Sequence, residues 1–306
     1  MSLRLKITFI HESADLTMPN RLLDDNAVAT YRRDGIVFPI RVVDEAEAGR
    51  MLGRLQGIEA AHGGRLPARI NQKPHLLFPW LNELVRHPRI VDAVEDLLGP
   101  DLLCWGSQFF AKNGGDPSYV SWHQDATYWG LSSPDVATAW VALTPSTPES
   151  GCMRVVPGTH RAQVPHEDRF DDANLLSRGQ EVAVEVDPTT VVDVILQPGE
   201  MSLHHVLLFH GSDPNRSAWP RIGFAIRYMP THVRQLSPIR DSALLVRGRD
   251  DFGHFEHELS PEADLHPDAV ARHGAIIDRQ LRILYAGAQA RGKLNPAASS
   301  GIKETT

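Results

Sequence analysis

The chain has 306 residues, 42% of them hydrophobic and 23% charged, so it can bury one large core without disulfides or structural metals. Its formal charge of -7, with Arg scattered among Asp and Glu, excludes a basic field, and nucleic acid is not an expected partner. The 2 cysteines, Cys104 and Cys152, sit among apolar neighbours; this excludes a disulfide framework and suits small buried thiols in a reducing compartment.

Met1 to Met18 carries an apolar patch at Ile7 to Ile10, but Arg4 and Lys6 before it and His11-Glu12 after it leave no run long enough for secretion or for crossing a bilayer. A soluble, cytoplasmic protein with no membrane partner is expected. A short strand at Ile36–Ile40 precedes a helix over most of Asp44–Ala61. Asp44 and Glu47 form a capping-box start, Met51, Leu52, Leu55 and Ile58 keep helical spacing, and Gly63-Gly64 ends the run. A second helix opens at Pro88, puts Ile90, Val91, Val94, Leu97 and Leu98 on one face, and stops at Gly99-Pro100.

From Leu102 the texture changes to short β-branched or aromatic runs. Strands are predicted at Leu102–Phe110, Ala137–Leu143, Met153–Val156, Glu181–Val186, Val191–Leu196, Met201–Phe209 and Ile222–Met229, with turns such as Gln197-Pro198-Gly199 between them. That pattern gives a sandwich or barrel rather than βαβ units. The expected fold is mainly β with flanking helices, a double-stranded β-helix (jelly roll, cupin-like). Ala126–Asp135, Arg161–Gly179 and Thr231–His257 read as irregular loops around its mouth. Helix returns with Ile276, Ile277, Leu281, Leu284 and Tyr285, and a polar tail follows from Asn295. With no internal repeat or linker, residues 1–306 form a single domain: a helical part over about 20–100, a jelly-roll core over about 101–230, a loop and helix over about 231–290, and a disordered tail over about 291–306.

His123 and Asp125, two residues apart on an extended segment, can present an imidazole and a carboxylate to one ion. One distant histidine would complete a facial triad with open positions, the arrangement of non-haem Fe(II) oxygen chemistry. The chain holds 15 histidines, and His-x-Asp recurs at His166-Glu167-Asp168, in a charged loop, and at His266-Pro267-Asp268, which reads as the first turn of a helix. Only His123 has aromatic neighbours suited to walling a pocket, Trp122, Tyr128 and Trp129. The third ligand is sought among His204, His205 and His210. His210 closes a strand just before the polar turn Gly211–Ser217, where a ligand can face an open mouth, whereas His204 and His205 read first as core histidines. Arg221, across the hairpin, can clamp a carboxylate, with the Ser212 hydroxyl beside it; alone, it reads as a surface arginine.

Trp122-His123-Gln124-Asp125, Ala139–Leu143, Gly151–His160 and His210–Ser217 followed by Arg221 together resemble, in order and spacing from about Lys73 to Tyr228, the phytanoyl-CoA dioxygenase family. The resemblance implies Fe(II) held by His123, Asp125 and His210. It implies 2-oxoglutarate as co-substrate, its far carboxylate on Arg221 and Ser212, with Trp140 and Gln108 lining its pocket, and O2 as oxidant. Lys73 falls where some members bring a lysine to the co-substrate. Halogenating relatives carry a small residue in place of the iron carboxylate; Asp125 is present here, so hydroxylation is expected. The chain has Gly199-Glu200 where many relatives have Gly-Asp, which keeps the acidic character.

The expected reaction is hydroxylation of an unactivated C–H bond of a small metabolite or natural-product intermediate, with release of succinate and CO2. No basic cluster argues for a thioester. The same cofactors also serve desaturation, cyclisation and epimerisation, which the sequence does not divide. From other classes, a non-catalytic metal- or carboxylate-binding sensor has no need of three ligands with an open face, and a zinc hydrolase leaves Arg221 and Ser212 without a task.

Overall fold

The computed structural model describes residues 21–286 apart from 170, 172 and 177–179, so the Ile7–Ile10 patch and the tail expected over about 291–306 lie outside the described residues. Helix α1 (Asp25–Asp34) starts at Asp24, whose side chain accepts the Ala27 N–H at 2.7 Å, and stops at Gly35, whose φ of 79° only glycine adopts without strain. Strand β1 (Ile36–Arg41) leads into α2 (Glu45–Ala61), where Asp44 accepts the Glu47 N–H at 2.7 Å. The Glu47 carboxylate turns to Arg50 (2.7 Å). Helices α3 (Pro79–Leu84) and α4 (Pro88–Leu98) each carry proline in the first turn, where its missing N–H costs nothing.

The strands follow: β2 (Leu102–Lys112), β3 (Val120–His123), β4 (Ala137–Ala142), β5 (Met153–Val156), β6 (His166–Asp168), β7 (Gln180–Val182), β8 (Val192–Val194), β9 (Glu200–His205), β10 (Phe209–Ser212), β11 (Arg221–Pro230), β12 (Ser242–Arg247) and β13 (Glu256–His257), before α5 (Pro267–Leu284). A seven-stranded sheet runs β1-β9-β4-β11-β2-β12-β13 and a four-stranded sheet β3-β10-β5-β8, with β6 and β7 as a separate ribbon. This is the expected mainly β jelly roll with flanking helices. Among the described residues, no helix is long and apolar enough to cross a membrane.

Three expectations need correction. Met201–Phe209 is two strands, because the Leu208 N–H bonds back to the His205 carbonyl (2.9 Å) and turns the chain from one sheet into the other. Both sides of that corner are buried, and Val206, Leu207 and Leu208 in it are apolar, so no turn residue marks it. Thr231–His257 is not all loop; β12 pairs with β2. His166–Asp168 lies in a strand paired with β7, a three-residue strand too short to show alternation.

Strand periodicity decides which side chains face the site. On β11, Ile222, Phe224, Ile226 and Tyr228 join the core shared with α1 to α4, as Ala137, Ala139 and Val141 of β4 do. The opposite faces carry Arg221, Gly223, Ala225 and Arg227 on β11 and Trp140 and Ala142 on β4. Trp140, Ala142 and Ala225 pack against Met153, Val155 and Val194 of the small sheet, so this face is the sandwich interior.

A buried ionic cluster braces the C-terminal segment. Lys73 Nζ donates to Glu258 Oε1 at 2.5 Å and to the Ser242 carbonyl at 2.9 Å, with both charged side chains all but inaccessible. His75 Nε2 lies 3.6 Å from the other Glu258 oxygen, and its Nδ1 is 2.6 Å from Ser107 Oγ. Burial alone would raise the Glu258 carboxyl, but Lys73 and His75 outweigh it and hold the group down to about 2. The stabilisation from this carboxylate is therefore present above the ordinary carboxyl range and is lost as pH falls through about 2. Lys73→Met, which strands the Glu258 charge, is expected to cost about 3–5 kcal/mol of stability. Urea unfolding at pH 7 checks this, and a loss below about 1 kcal/mol would refute it.

Candidate metal centre and adjoining cavities

His123 ends β3 and is the Cα partner of His210 on β10, so one sheet sets the two imidazoles side by side, ring centroids 4.0 Å apart. Asp125 begins a 3-10 turn, and its N–H is held by the Val206 carbonyl at 2.9 Å. Gln124, between them, is fully buried; its side-chain amide donates to the Ala162 and Leu207 carbonyls (2.8 and 2.7 Å) and accepts the Val164 N–H (2.9 Å). Every polar group of that side chain is used, which fixes the turn. His166 adds a latch by accepting the Gln124 backbone N–H at 2.8 Å.

The ligand atoms of His123, Asp125 and His210 all lie within 4.8 Å of one another, and these three form the one such His/Cys/Asp/Glu group among the described residues. Nε2 of His123 is 3.3 Å, and of His210 4.0 Å, from Asp125 Oδ1. Each Nδ1 is 2.9 Å from a carbonyl oxygen, of Ser121 and of Leu208, which can only accept. Both rings, when neutral, therefore carry the proton on Nδ1 and turn the Nε2 lone pair toward Asp125, the tautomer a metal ligand needs. Burial pushes His210 well below its usual range. Burial opposes ionisation of Asp125, but His123 and His210, in the forms where they are protonated, and the nearby Arg227 outweigh it and hold the carboxyl below the usual carboxylate range. Two neutral imidazoles and one carboxylate on one side of a pocket suit a divalent iron with open positions.

A small cavity beside this group is lined by Trp140, Ser212, Arg221, Arg227 and His204. Arg221 is 3% exposed and donates through Nε and Nη2 to the Gly151 carbonyl (3.0 and 2.8 Å), which leaves three of its N–H groups for a ligand. Its guanidinium lies 5.3 Å from the centre of the Trp140 ring, and a Cβ on Gly223 would fall 1.9 Å from that ring. Gly223 is thus the floor on which Trp140 lies. Gly223→Ala is expected to displace the indole and weaken a dicarboxylate ligand about tenfold or more, read by titration. Unchanged affinity would mean the ring does not shape the cavity.

The other candidates are placed as follows. Gln108 lines the large cavity described below, and as the Cα partner of Ala225, whose other neighbour is Trp140, it lies in one row with Trp140 across the large sheet. The Lys73 ammonium is committed to Glu258 and Ser242, which removes it from a co-substrate role. His204 is buried behind the group, its ring 5.0 Å from that of His210, and burial holds it near 4, neutral. His205 accepts the Leu207 N–H at 3.1 Å. His266 caps α5, accepting the Asp268 N–H at 3.3 Å.

Sequence reasoning missed Lys112. Fully buried at the end of β2 and the Cα partner of Arg221, it donates to Ser212 Oγ at 2.7 Å and to the Asp213 carbonyl at 2.5 Å. Because Ser212 Oγ accepts from Lys112, its own proton is free to be donated into the cavity. A lysine ending an apolar strand was the available signal. Burial, reinforced by Arg221, pulls its ammonium down to about 7. Loss of that charge weakens the field on an anionic ligand, so 2-oxoglutarate affinity is expected to fall about three- to tenfold from pH 7 to pH 9. Lys112→Met should bind more weakly and lose this slope in an anaerobic titration series; a slope that persists in the variant would assign it elsewhere.

A second, larger cavity of about 580 Å³ meets the small one, and Phe110, Asp125 and Arg227 line both. Trp105, Tyr128 and Trp129 stand in its wall, the two indoles 4.7 Å apart.

The family model described as phytanoyl-CoA dioxygenase (PhyH) matches residues 31–223. A probable alpha-ketoglutarate-dependent hypophosphite dioxygenase of Stutzerimonas stutzeri is 32% identical over 163 residues, 51% of this chain and 55% of that protein. The chain spans about half the length of the first curated relatives it matches. Among solved structures, the non-heme monooxygenase ThoJ in its apo form is 37% identical with a TM-score of 0.76, covering 84% of this chain and 97% of that one. CytC3 with Fe(II) and alpha-ketoglutarate is 26% identical with a TM-score of 0.57, covering 76% and 91%.

Proposed function

Because the chain belongs to the phytanoyl-CoA dioxygenase family, we propose that it is an Fe(II)- and 2-oxoglutarate-dependent dioxygenase that hydroxylates a C–H bond of a small metabolite or natural-product intermediate, releasing succinate and CO2. The observation that carries this reading is the convergence of His123, Asp125 and His210 beside a cavity whose inner end holds Arg221 and Ser212. A metal site alone would serve a sensor or a hydrolase; a buried guanidinium with three free donors and a free hydroxyl proton asks for a carboxylate as well.

His123, Asp125 and His210 would hold the iron, their carbonyl-anchored Nδ1 groups keeping both rings in one tautomer. Arg221 and Ser212 would grip the far carboxylate of the keto acid, with Trp140 against its chain and Lys112 orienting the serine. When bound, iron, keto acid and O2 supply the oxidising chemistry, coupling decarboxylation of the keto acid to insertion of one oxygen atom into the substrate C–H bond. The large cavity would seat the substrate beside Asp125 and keep water out. No side chain is needed as a general acid or base.

The test is anaerobic addition of Fe(II) and then 2-oxoglutarate to metal-free protein. The expected result is the weak visible charge-transfer band of the chelate, followed by substrate-dependent succinate release in a metabolite screen. Wild-type protein with no band and no affinity for the keto acid overturns the reading and returns the sensor and the hydrolase.

A further inference from the structure

Arg227 has no assigned part in the proposed chemistry. It lies six residues beyond Arg221 on the same inward face of β11, roughly 20 Å along the strand at about 3.3 Å per residue, and it lines both cavities where they meet. Its guanidinium is 5.3 Å from the centre of the Trp129 ring and takes part in no hydrogen bond or ion pair with any described residue. Its Nε is sealed from solvent without an acceptor. Asp125 is the nearby anion, yet no oxygen of it comes within ion-pair distance, and its carboxylate is turned to the histidines. Of the other cations that line the large cavity, Lys73 is already paired with Glu258, and Arg65 is exposed to solvent. Arg227 as a whole is half-buried, but a sealed N–H lacking an acceptor is costly unless a ligand supplies one.

We propose that Arg227 is a substrate-binding residue that takes a carboxylate of the substrate at the inner end of the large cavity, next to Asp125. The substrate class follows from the surroundings. A cavity of about 580 Å³ walled by Trp105, Tyr128 and Trp129 suits a molecule well above amino-acid size with an aromatic or other flat apolar body. The Arg227 fork then binds its anionic end in two parallel hydrogen bonds and sets which carbon lies nearest the metal ligands. This assignment rests on the oxygenase reading. The same chemistry has a second source, the keto-acid end of the co-substrate, and the experiment separates the two.

The experiment compares 4-phenylbutanoate with its uncharged amide by calorimetric titration of the Fe(II)- and 2-oxoglutarate-loaded chain without oxygen, and of the metal-free chain. The wild type is expected to prefer the acid by about tenfold or more. Arg227→Gln should abolish the preference, Arg227→Lys should restore part of it, and the 2-oxoglutarate affinity of both variants should stay within about threefold of wild type. Equal affinity for acid and amide, no binding of either at millimolar concentration, or a preference that survives Arg227→Gln overturns the proposal. A collapse of 2-oxoglutarate affinity in Arg227→Gln also overturns it, assigning the residue to the co-substrate. Failure of the chelate band in the wild type sinks the oxygenase reading instead, and the comparison on the metal-free chain still decides the acid preference.

Discussion

Asp125→Ala is expected to abolish the charge-transfer band given by wild type with Fe(II) and 2-oxoglutarate, and to lower substrate-dependent succinate release by about a thousandfold or more, beyond the 10- to 100-fold typical of losing a supporting partner. The carboxylate is the one negative ligand of the group, so its loss leaves two neutral imidazoles to hold a divalent ion next to the positive charge of Arg227. Folding should suffer little, because the turn is held through other atoms: the Asp125 backbone N–H on Val206 and the Gln124 amide on Ala162, Val164 and Leu207. Iron content after anaerobic loading and the thermal transition separate the effects. A variant that keeps the band shows that another group, His204 being nearest at hand, carries the third ligand position.

Arg221→Met is the second large effect, and it falls on the keto acid rather than on the metal. Removing one member of a buried, hydrogen-bonded charge pair costs about 2–5 kcal/mol, so the 2-oxoglutarate dissociation constant should rise by about two orders of magnitude. Iron loading should persist, because Arg221 is not among the three clustered ligand atoms. Part of the loss will be structural, since Arg221 also ties β11 to the Gly151 turn through two donors to one carbonyl. Gly151 itself has φ 70°, and a Cβ there would lie 2.3 Å from the Asp213 carbonyl oxygen, so the acceptor is held rigidly. Arg221→Lys distinguishes the two contributions: it keeps the charge but loses the fork. A dissociation constant within about threefold of wild type for Arg221→Met would mean that the far carboxylate binds elsewhere.

Much of the architecture was legible because its signals are local. The Asp44 cap, the proline start of α4, and the β-branched and aromatic runs of β4 and β11 are set within a few residues by hydrogen bonding and side-chain direction, whereas α1 and the short α3 were not read. Two elements defeated the same reading for opposite reasons. The run from Met201 to Phe209 is buried almost throughout and holds no glycine, proline, Asn or Asp, so nothing marks the corner at His205–Leu208. The strand His166–Asp168 is polar throughout, and it is a strand only because β7 pairs with it.

What the sequence by itself determined is the set of chemical groups and their local spacing: His123 and Asp125 two residues apart, on a segment read as extended where the structure has Asp125 opening a 3-10 turn, and Arg221 at the start of a strand. What only the tertiary structure decided is which of those groups meet. The corner before β10 puts His210, and not His205, opposite His123. The register of β2 against β11 brings Lys112 up to Arg221 and Ser212, while the buried Glu258 draws Lys73 away. Those pairings join residues far apart in the chain, 100 positions for Lys112 and Ser212 and 185 for Lys73 and Glu258, and they follow from strand register and from how the sheets and segments pack, which no window of neighbouring residues contains.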